Sequence, residues 1–345
     1  MKIVMLYTSL TEYWMSCVRK DVELNNNEYV IFRKEPKKEA PFKIESETNI
    51  QVLNENDYSN KQLQEYIDDF KPDAVYVAGW INKFYLKIAR KYKKMGKPVI
   101  CGMDNQWRNT LKQQIGVIVS RIKIKSYFTH IWVPGMLQYN FATRLGFKKK
   151  EIMLNLYSCD TDAFNVKQTQ IEKRFLFVGR LVAQKGIETL INAYNNIKLK
   201  DWPLHIIGSG PCQNMIVENE RDMIIHDNVV YNEFVQPEDV CLMMKKGGVF
   251  VLPASYEAWG LVIHEAATAG MPIITTHECG AAYHLVKNGY NGYLIEPDNE
   301  KQLQEAMAKI ANKTDEEIKE MGNRSKELAR SFTPEIWSKT LSQVI

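Results

Sequence analysis

Short apolar, β-branched runs alternate along the chain with longer stretches of helical periodicity. In the first half the strand-like runs are 2–7, 29–32, 50–53, 74–78, 98–101 and 130–133. Helical patterns fall between most of them, over 12–24, 60–69, 82–95, 109–125 and 136–145. In the second half the runs are 174–178, 204–207, 229–231, 249–252, 272–275 and 292–295. Helical stretches intervene again at 185–196, 211–220, 237–245, 260–269 and 280–287, and the tail from 299 to 345 reads as helix alone. Two β-α alternating halves predict two α/β domains with parallel sheets. The expected division is residues 1–158, a linker near 155–172, a second domain over 173–330, and a last helix over 331–345 packing back on the N-terminal domain. Ligands of such sheets bind outside the carboxyl ends of the strands. The loops that follow the strands are therefore where chemistry is sought.

Composition changes this picture little. The chain has 345 residues, 45% apolar and 25% charged, an ordinary globular balance with ample core material. No pair of its six cysteines forms C-x-x-C, and their spacing is too wide for a zinc ribbon. Buried free thiols in a reducing compartment are expected. No apolar stretch approaches the roughly 20 residues of a membrane span, and the N-terminal run is too short for a signal-peptide core. The expected location is cytoplasmic, with peripheral attachment at the inner face of the cell membrane open.

Charge changes it more. The formal net charge of +4 hides an asymmetry. Residues 1–160 carry 26 basic against 17 acidic side chains, and residues 161–345 carry 19 against 24. Between 81 and 150 there are 16 Lys or Arg and one acid, Asp104. Over 82–95, Phe84, Ile88, Ala89, Tyr92 and Met95 share one helical face, with Lys83, Lys87, Arg90, Lys91 and Lys94 around the rest. Such a run is either a solvated helix face or a surface for anionic lipid head groups, at about 1 kcal/mol per cation. No nucleic-acid-binding motif accompanies it, so no nucleic-acid partner is expected.

The chemistry concentrates in the second half. Phe175 to Gly186 reads as a strand, a glycine turn and a helix start, with Arg180 and Lys185 placed at the sheet edge. They are either surface cations on a loop or groups that bind phosphate oxygens. The next strand ends in Gly208-Ser209-Gly210-Pro211, where glycines let a ligand approach the backbone. The third glycine of a dinucleotide fingerprint is absent and the first strand's loop has no glycine, which argues against a nicotinamide dehydrogenase. In Val251 to Ala266 a buried strand meets a tight loop and a helix. Glu257 lies in the loop and Glu265 two helical turns onward. Between them the amides of Gly260, Leu261 and Val262 open at a helix N-terminus, an anion site. The bland reading is an acid that favours the helix dipole and a solvated Glu265. Four such elements in this order make the bland reading improbable.

These residues resemble glycosyltransferase family 4, whose GT-B fold is two Rossmann-like parallel-sheet domains facing a central cleft, with C-terminal helices. The matching features are G-R-L-x-x-x-K-G at 179–186, G-x-G-P at 208–211, N-x-x-Y-x-E-F-V at 228–235 and E-x7-E at 257–265. Gly289-Tyr290-Asn291-Gly292 resembles the family's strand entry, and Asp160 to Phe164 its interdomain element. The resemblance is specific over 174–300 and weaker over 97–165.

The resemblance implies that Arg180 and Lys185 neutralise the diphosphate of a nucleotide sugar. It implies that Glu257 holds hydroxyls of the transferred sugar and that Glu265 accepts from the ribose. Gly208, Ser209, Ala258, Trp259, Gly260, Leu261 and Val262 would line the donor, and the backbone at Phe234 and Val235 would flank the base. It implies a retaining hexosyltransferase that needs no metal or cofactor. The acceptor would be a glycan or a lipid-linked one, as in bacterial O-antigen or capsule synthesis. Asp160-Thr161-Asp162 matches the D-x-D metal motif of the other large glycosyltransferase fold, but it lies in the linker. A non-catalytic nucleotide-sugar or glycan-binding subunit of an assembly complex is the other reading.

The chain departs from the family in one place. Met103 stands where a His is common, and Asp104 follows it. Asp104 either meets an acceptor hydroxyl or donor sugar, or serves as an N-cap or an Arg108 partner. Trp107 either stacks on a sugar ring or packs in the core.

Overall fold

The computed structural model describes residues 1–35, 44–165, 172–197, 199–217, 228–233 and 235–345, apart from the side chain of Ile122. The chain divides into two compact units, Met1–Ser158 with Phe332–Ile345, and Cys159–Ser331. The stretch 155–172, expected as linker, is divided more sharply. Residues up to Ser158 belong to the first unit and 159–165 to the second, while 166–171 lie outside the described residues.

In the first unit the elements are β1 (Lys2–Leu6), α1 (Glu12–Asn25), β2 (Glu28–Arg33), β3 (Ile50–Asn54), α2 (Asn60–Phe70), β4 (Ala74–Ala78), α3 (Lys83–Lys94), β5 (Val99–Gly102), α4 (Leu111–Lys123), β6 (His130–Trp132), α5 (Met136–Arg144) and β7 (Ile152–Met153). The sheet order is β3-β2-β1-β4-β5-β6-β7, all parallel. Side chains alternate across a strand, so the sheet has two apolar faces. Val4, Leu6, Val30, Val75, Val77, Val99 and Cys101 face one core, with Ile88 and Tyr92 of α3 packed there. Ile3, Met5, Tyr29, Ile31, Tyr76, Ile100 and Trp132 face the other, with Trp14 of α1. Met95, expected on the buried face of α3, is exposed, and Tyr85 is buried instead. The residue that caps a helix's end lies past its last turn and need not follow the apolar stripe.

The second unit runs α6 (Thr161–Phe164), β8 (Phe175–Val178), α7 (Ile187–Ile197), β9 (Leu204–Ile207), α8 (Asn214–Val217), β10 (Val229–Asn232), α9 (Pro237–Lys245), β11 (Val249–Leu252), α10 (Leu261–Ala269), β12 (Ile273–Thr276), α11 (Ala282–Leu285), β13 (Gly292–Ile295), α12 (Glu300–Ala311) and α13 (Asp315–Ala329). Its parallel sheet repeats the order, β10-β9-β8-β11-β12-β13. Asp160 caps α6, its carboxylate accepting from Ala163 N at 2.9 Å. Asn291 is fully buried and ties the approach to β13 together, accepting from Lys287 N at 2.7 Å and donating to Leu285 O at 2.8 Å.

After Ser331 the chain returns to the first unit as α14 (Pro334–Ser342). Trp337 is buried and donates from Nε1 to Leu156 O at 3.0 Å. Ser338 donates to Asp21 Oδ1 at 2.6 Å. Asp21 is fully buried and also accepts from Asn25, Asn27 and Tyr29. A buried carboxylate is tolerable when donors surround it. All six cysteines are free and five are buried. Among the described residues no helix is long and apolar enough to cross a membrane.

Candidate active site

In both sheets the strand order reverses at the pair formed by the unit's first strand and its fourth, β1/β4 and β8/β11. The carboxyl ends of such a pair are the ligand position of a doubly wound sheet. The β8/β11 edge of the second unit is built from two loops locked to each other. Ser255 N donates to Gln184 O at 2.9 Å, and Gln184 Nε2 donates to Tyr256 O at 2.8 Å. The loop from Ser255 to Gly260 is also pinned from β12's side. Glu257 N donates to Glu278 O at 3.1 Å, Gly280 N to Glu257 O at 3.0 Å, and Ala281 N to Trp259 O at 2.7 Å. A charged side chain on such a loop is held by its backbone before any ligand arrives.

Lys185 and Glu257 meet on this edge. Lys185 Nζ forms an ion pair with Glu257 Oε2, and both side chains are largely covered. Burial lowers the Lys185 ammonium from its ordinary value, and neighbouring Arg180 lowers it further. Arg180 itself is exposed at the end of the β8 loop. Gly260 sits at φ 89 as the N-cap of α10, the left-handed region that favours glycine. A Cβ there would stand 3.0 Å from Glu257 Cγ. Gly260 therefore lets Glu257 lie against the helix start, where the Leu261 and Val262 amides open.

Glu265 is on the first turns of α10. It is not a solvated acid, as its bland reading had it. Burial pushes its carboxyl up to about 7. Its neighbour His264 is fully buried, with Nδ1 accepting from Cys159 N at 3.2 Å. Trp259 is buried beside His284, their ring centroids 5.9 Å apart. Ala258 is half-buried on the same loop.

The Gly208-Ser209-Gly210 turn has a structural task besides the ligand approach expected of it. A Cβ on Gly208, at φ 143, would stand 1.9 Å from Gly179 O. These glycines admit the neighbouring β8 loop, and Leu181 N donates to Ser209 O at 2.9 Å. The close approach is backbone to backbone. Val235 is half-buried after β10, and Phe234 lies outside the described residues.

The β1/β4 edge of the first unit holds a cavity of about 430 Å³ that sequence reasoning missed. Tyr7, Tyr13, Trp80, Asp104, Asn105 and Tyr157 are among its lining residues. Tyr157 donates its phenol to Asp104 Oδ2 at 3.2 Å. Burial raises the phenols of Tyr7, Tyr13 and Tyr157, which keeps them protonated as donors. Asp104 is not the N-cap of α4, because Thr110 is, accepting from Gln113 N at 3.3 Å. Met103 is buried in the apolar core. Trp107 is half-buried, with the Arg144 guanidinium 4.6 Å from its ring centroid. The available signals for the cavity were Asp104 and the aromatic residues near strand ends. Nothing in the sequence brings Tyr13 and Tyr157 to the same edge.

Two doubly wound parallel sheets in one chain, the second with a cation, two acids and a helix N-terminus at its switch point, make a GT-B fold. Residues 160–328 match the family described as glycosyl transferases group 1. The chain is 33% identical over 215 residues to the capsular polysaccharide biosynthesis glycosyltransferase CapM of Staphylococcus aureus, covering 60% of this chain and 55% of that protein. It spans about a third to just over half the length of the first curated relatives it matches. Two solved structures share the fold over nearly the whole chain. Sucrose-phosphate synthase from Thermosynechococcus elongatus superposes with TM-score 0.76 at 16% identity, covering 99% and 98% of the two chains. Anabaena HepE in complex with UDP superposes with TM-score 0.74 at 13% identity, covering 99% of each.

Proposed function

We propose that the chain is a retaining, metal-independent glycosyltransferase that moves a sugar from a nucleoside diphosphate sugar to a glycan or lipid-linked acceptor in bacterial surface-polysaccharide synthesis. The observation that carries this reading is the Lys185–Glu257 pair held at the N-terminus of α10. One group of the pair suits a phosphate and the other a sugar hydroxyl, and they are already side by side.

Cleaving the anomeric bond leaves a nucleoside diphosphate, so negative charge grows on its distal phosphate. Lys185, Arg180 and the α10 amides stabilise that growing charge more than the ground state. Glu257 orients the sugar through its hydroxyls and Glu265 accepts from the ribose. The Gly208-Ser209 turn and the chain at Val235 bound the nucleoside. The acceptor's proton passes to the leaving phosphate oxygen on the same face, so retention needs no dedicated protein base. Asp104 receives an acceptor hydroxyl in the tyrosine-lined cavity. The likeness to CapM and to HepE with UDP supports the polysaccharide and nucleotide parts of this reading. The basic excess of 81–150 supports a peripheral site on an anionic membrane.

The test is donor turnover, with and without acceptor, by the wild type, Lys185→Ala and Glu257→Ala. Loss of turnover in both variants is expected, at a temperature where each is still folded. Wild-type turnover by both variants sinks the site. A nucleotide sugar that binds and is never turned over favours the non-catalytic subunit, which buried Met103 in the usual His position keeps in view.

A further inference from the structure

Helix α4 is turned the wrong way round for a helix on a globular surface. Its contacts with the first unit are made by half-buried Gln113 and Val117, by buried Ser120 and by Ile124 at its C-cap. On the opposite side Leu111, Ile115, Ile118 and Val119 are 76%, 64%, 73% and 56% exposed. At roughly 100° per residue these four form one continuous stripe. Surface helices normally aim that stripe at the core. An exposed apolar stripe of this kind marks an interaction surface.

The charge around the stripe decides what covers it. Lys112 and Lys123 stand along one margin and Arg121 along the other, and all three are exposed. Among the described residues none of these three pairs with a carboxylate. Elsewhere in 81–150 the excess is partly neutralised, by Asp68 on Lys91, Asp73 on Lys97 and Glu151 on Lys125. A second copy meeting this face across a two-fold axis would set cation against cation. An anionic bilayer offers acyl chains to the stripe and phosphates to its margins.

We propose that α4 is an in-plane membrane anchor. It lies in the interface of an anionic bilayer, with Leu111, Ile115, Ile118 and Val119 among the acyl chains and Lys112, Arg121 and Lys123 at the headgroup phosphates. The inference rests on the membrane part of the function proposed above and narrows it from seventy residues to one helix. Thr110, the N-cap, closes the short loop that begins at Asp104. A lipid-linked acceptor lying in the same bilayer thus has a short path to the Asp104 cavity.

The test uses the full chain in flotation with phosphatidylcholine vesicles, with and without an equal share of phosphatidylglycerol. The wild type floats with the anionic vesicles and stays in solution with the neutral ones. The triple variant Ile115→Ser, Ile118→Ser, Val119→Ser loses anionic binding by at least tenfold and keeps its melting temperature. The pair Lys112→Gln, Lys123→Gln weakens binding several-fold and reduces its salt dependence. Donor hydrolysis without vesicles is unchanged in the triple variant, so a failed anchor is distinguishable from a failed glycosyltransferase. The proposal is overturned if the wild type stays in solution with both vesicles or if the triple variant floats like the wild type. It is also overturned if the wild type sediments as a dimer that the triple variant breaks.

Discussion

The two sheets share a strand order, and their carboxyl edges are built from opposite materials. At the β8/β11 edge, glycines bring loop backbones into contact and a few charges are pinned by main-chain bonds. At the β1/β4 edge the β1 loop has no glycine, and phenols, a tryptophan and one acid are among the residues that line a cavity. The comparison teaches that topology fixes where a ligand goes and that loop chemistry fixes what kind. A diphosphate needs amides and cations aimed at developing charge. A sugar hydroxyl needs donors, acceptors and flat apolar surface. The net charge tells little of this, because the more acidic half holds the site suited to the anion.

The largest expected effect breaks the charged edge. Lys185→Ala or Glu257→Ala lowers the turnover rate by about 10²–10³, the size of losing one preorganised transition-state donor. Removing either partner also leaves the other buried without its counter-charge. Each should therefore be measured beside a urea melt, and Lys185→Met with Glu257→Gln together should restore stability and not turnover.

A comparable loss, in stability rather than rate, is expected where backbones touch. Gly208→Ala puts a Cβ against Gly179 O at a left-handed φ and costs about 3 kcal/mol in urea unfolding. A substitution to Ala at Ser9, in the loop after β1 at the first unit's edge, costs under about 0.5 kcal/mol. Equal costs would mean that the two edges are not built differently.

Asp104→Ala sharpens the contrast on the other side. It raises the acceptor KM by about tenfold, the worth of one hydrogen bond to a charged group, and leaves the donor KM unchanged. A donor effect of the same size would move Asp104 from the acceptor cavity to the donor's sugar.

The smallest effect is a pH dependence. Burial holds the Glu265 carboxyl at about 7 against an ordinary 4.5. Between those values the native state binds more protons than the unfolded one, so this group's contribution to stability falls as pH rises through the window. The ionised form is the better acceptor for ribose hydroxyls. Nucleotide affinity of the wild type rises several-fold from pH 6 to pH 8, while Glu265→Gln is flat in affinity and lacks the stability loss. Calorimetric titration across that range checks both.

Most of the element order was legible because short apolar, β-branched runs alternate with stretches of helical periodicity, whereas β7 and α6, two and four residues long, are too short to leave a pattern. Even the last helix was legible as helix, although Trp337 and Ser338 acquire meaning only through Leu156 and Asp21, far away in sequence. Of the site, the segments carrying Lys185, Glu257 and Gly260 were legible because each is a glycine-marked loop after a strand. Their pairing was not, because it depends on β8 and β11 lying side by side. The backbone contact of the turn at 208–210 was hidden, because glycine serves close backbone approach as well as ligands and sequence does not distinguish them. The outward stripe of α4 was also hidden. Periodicity over 109–125 shows that a face is apolar, and only packing shows which way it points.

The central claim is that the β8/β11 edge carries out donor chemistry with its own cations and amides. The most direct measurement is proton NMR of a nucleotide-sugar panel incubated with the protein in excess EDTA. The account predicts that one donor is cleaved, that the sugar first appears with the donor's anomeric configuration, and that Lys185→Ala and Glu257→Ala stop the reaction. An inverted anomer, a reaction abolished by EDTA, or undiminished cleavage by the variants would contradict it.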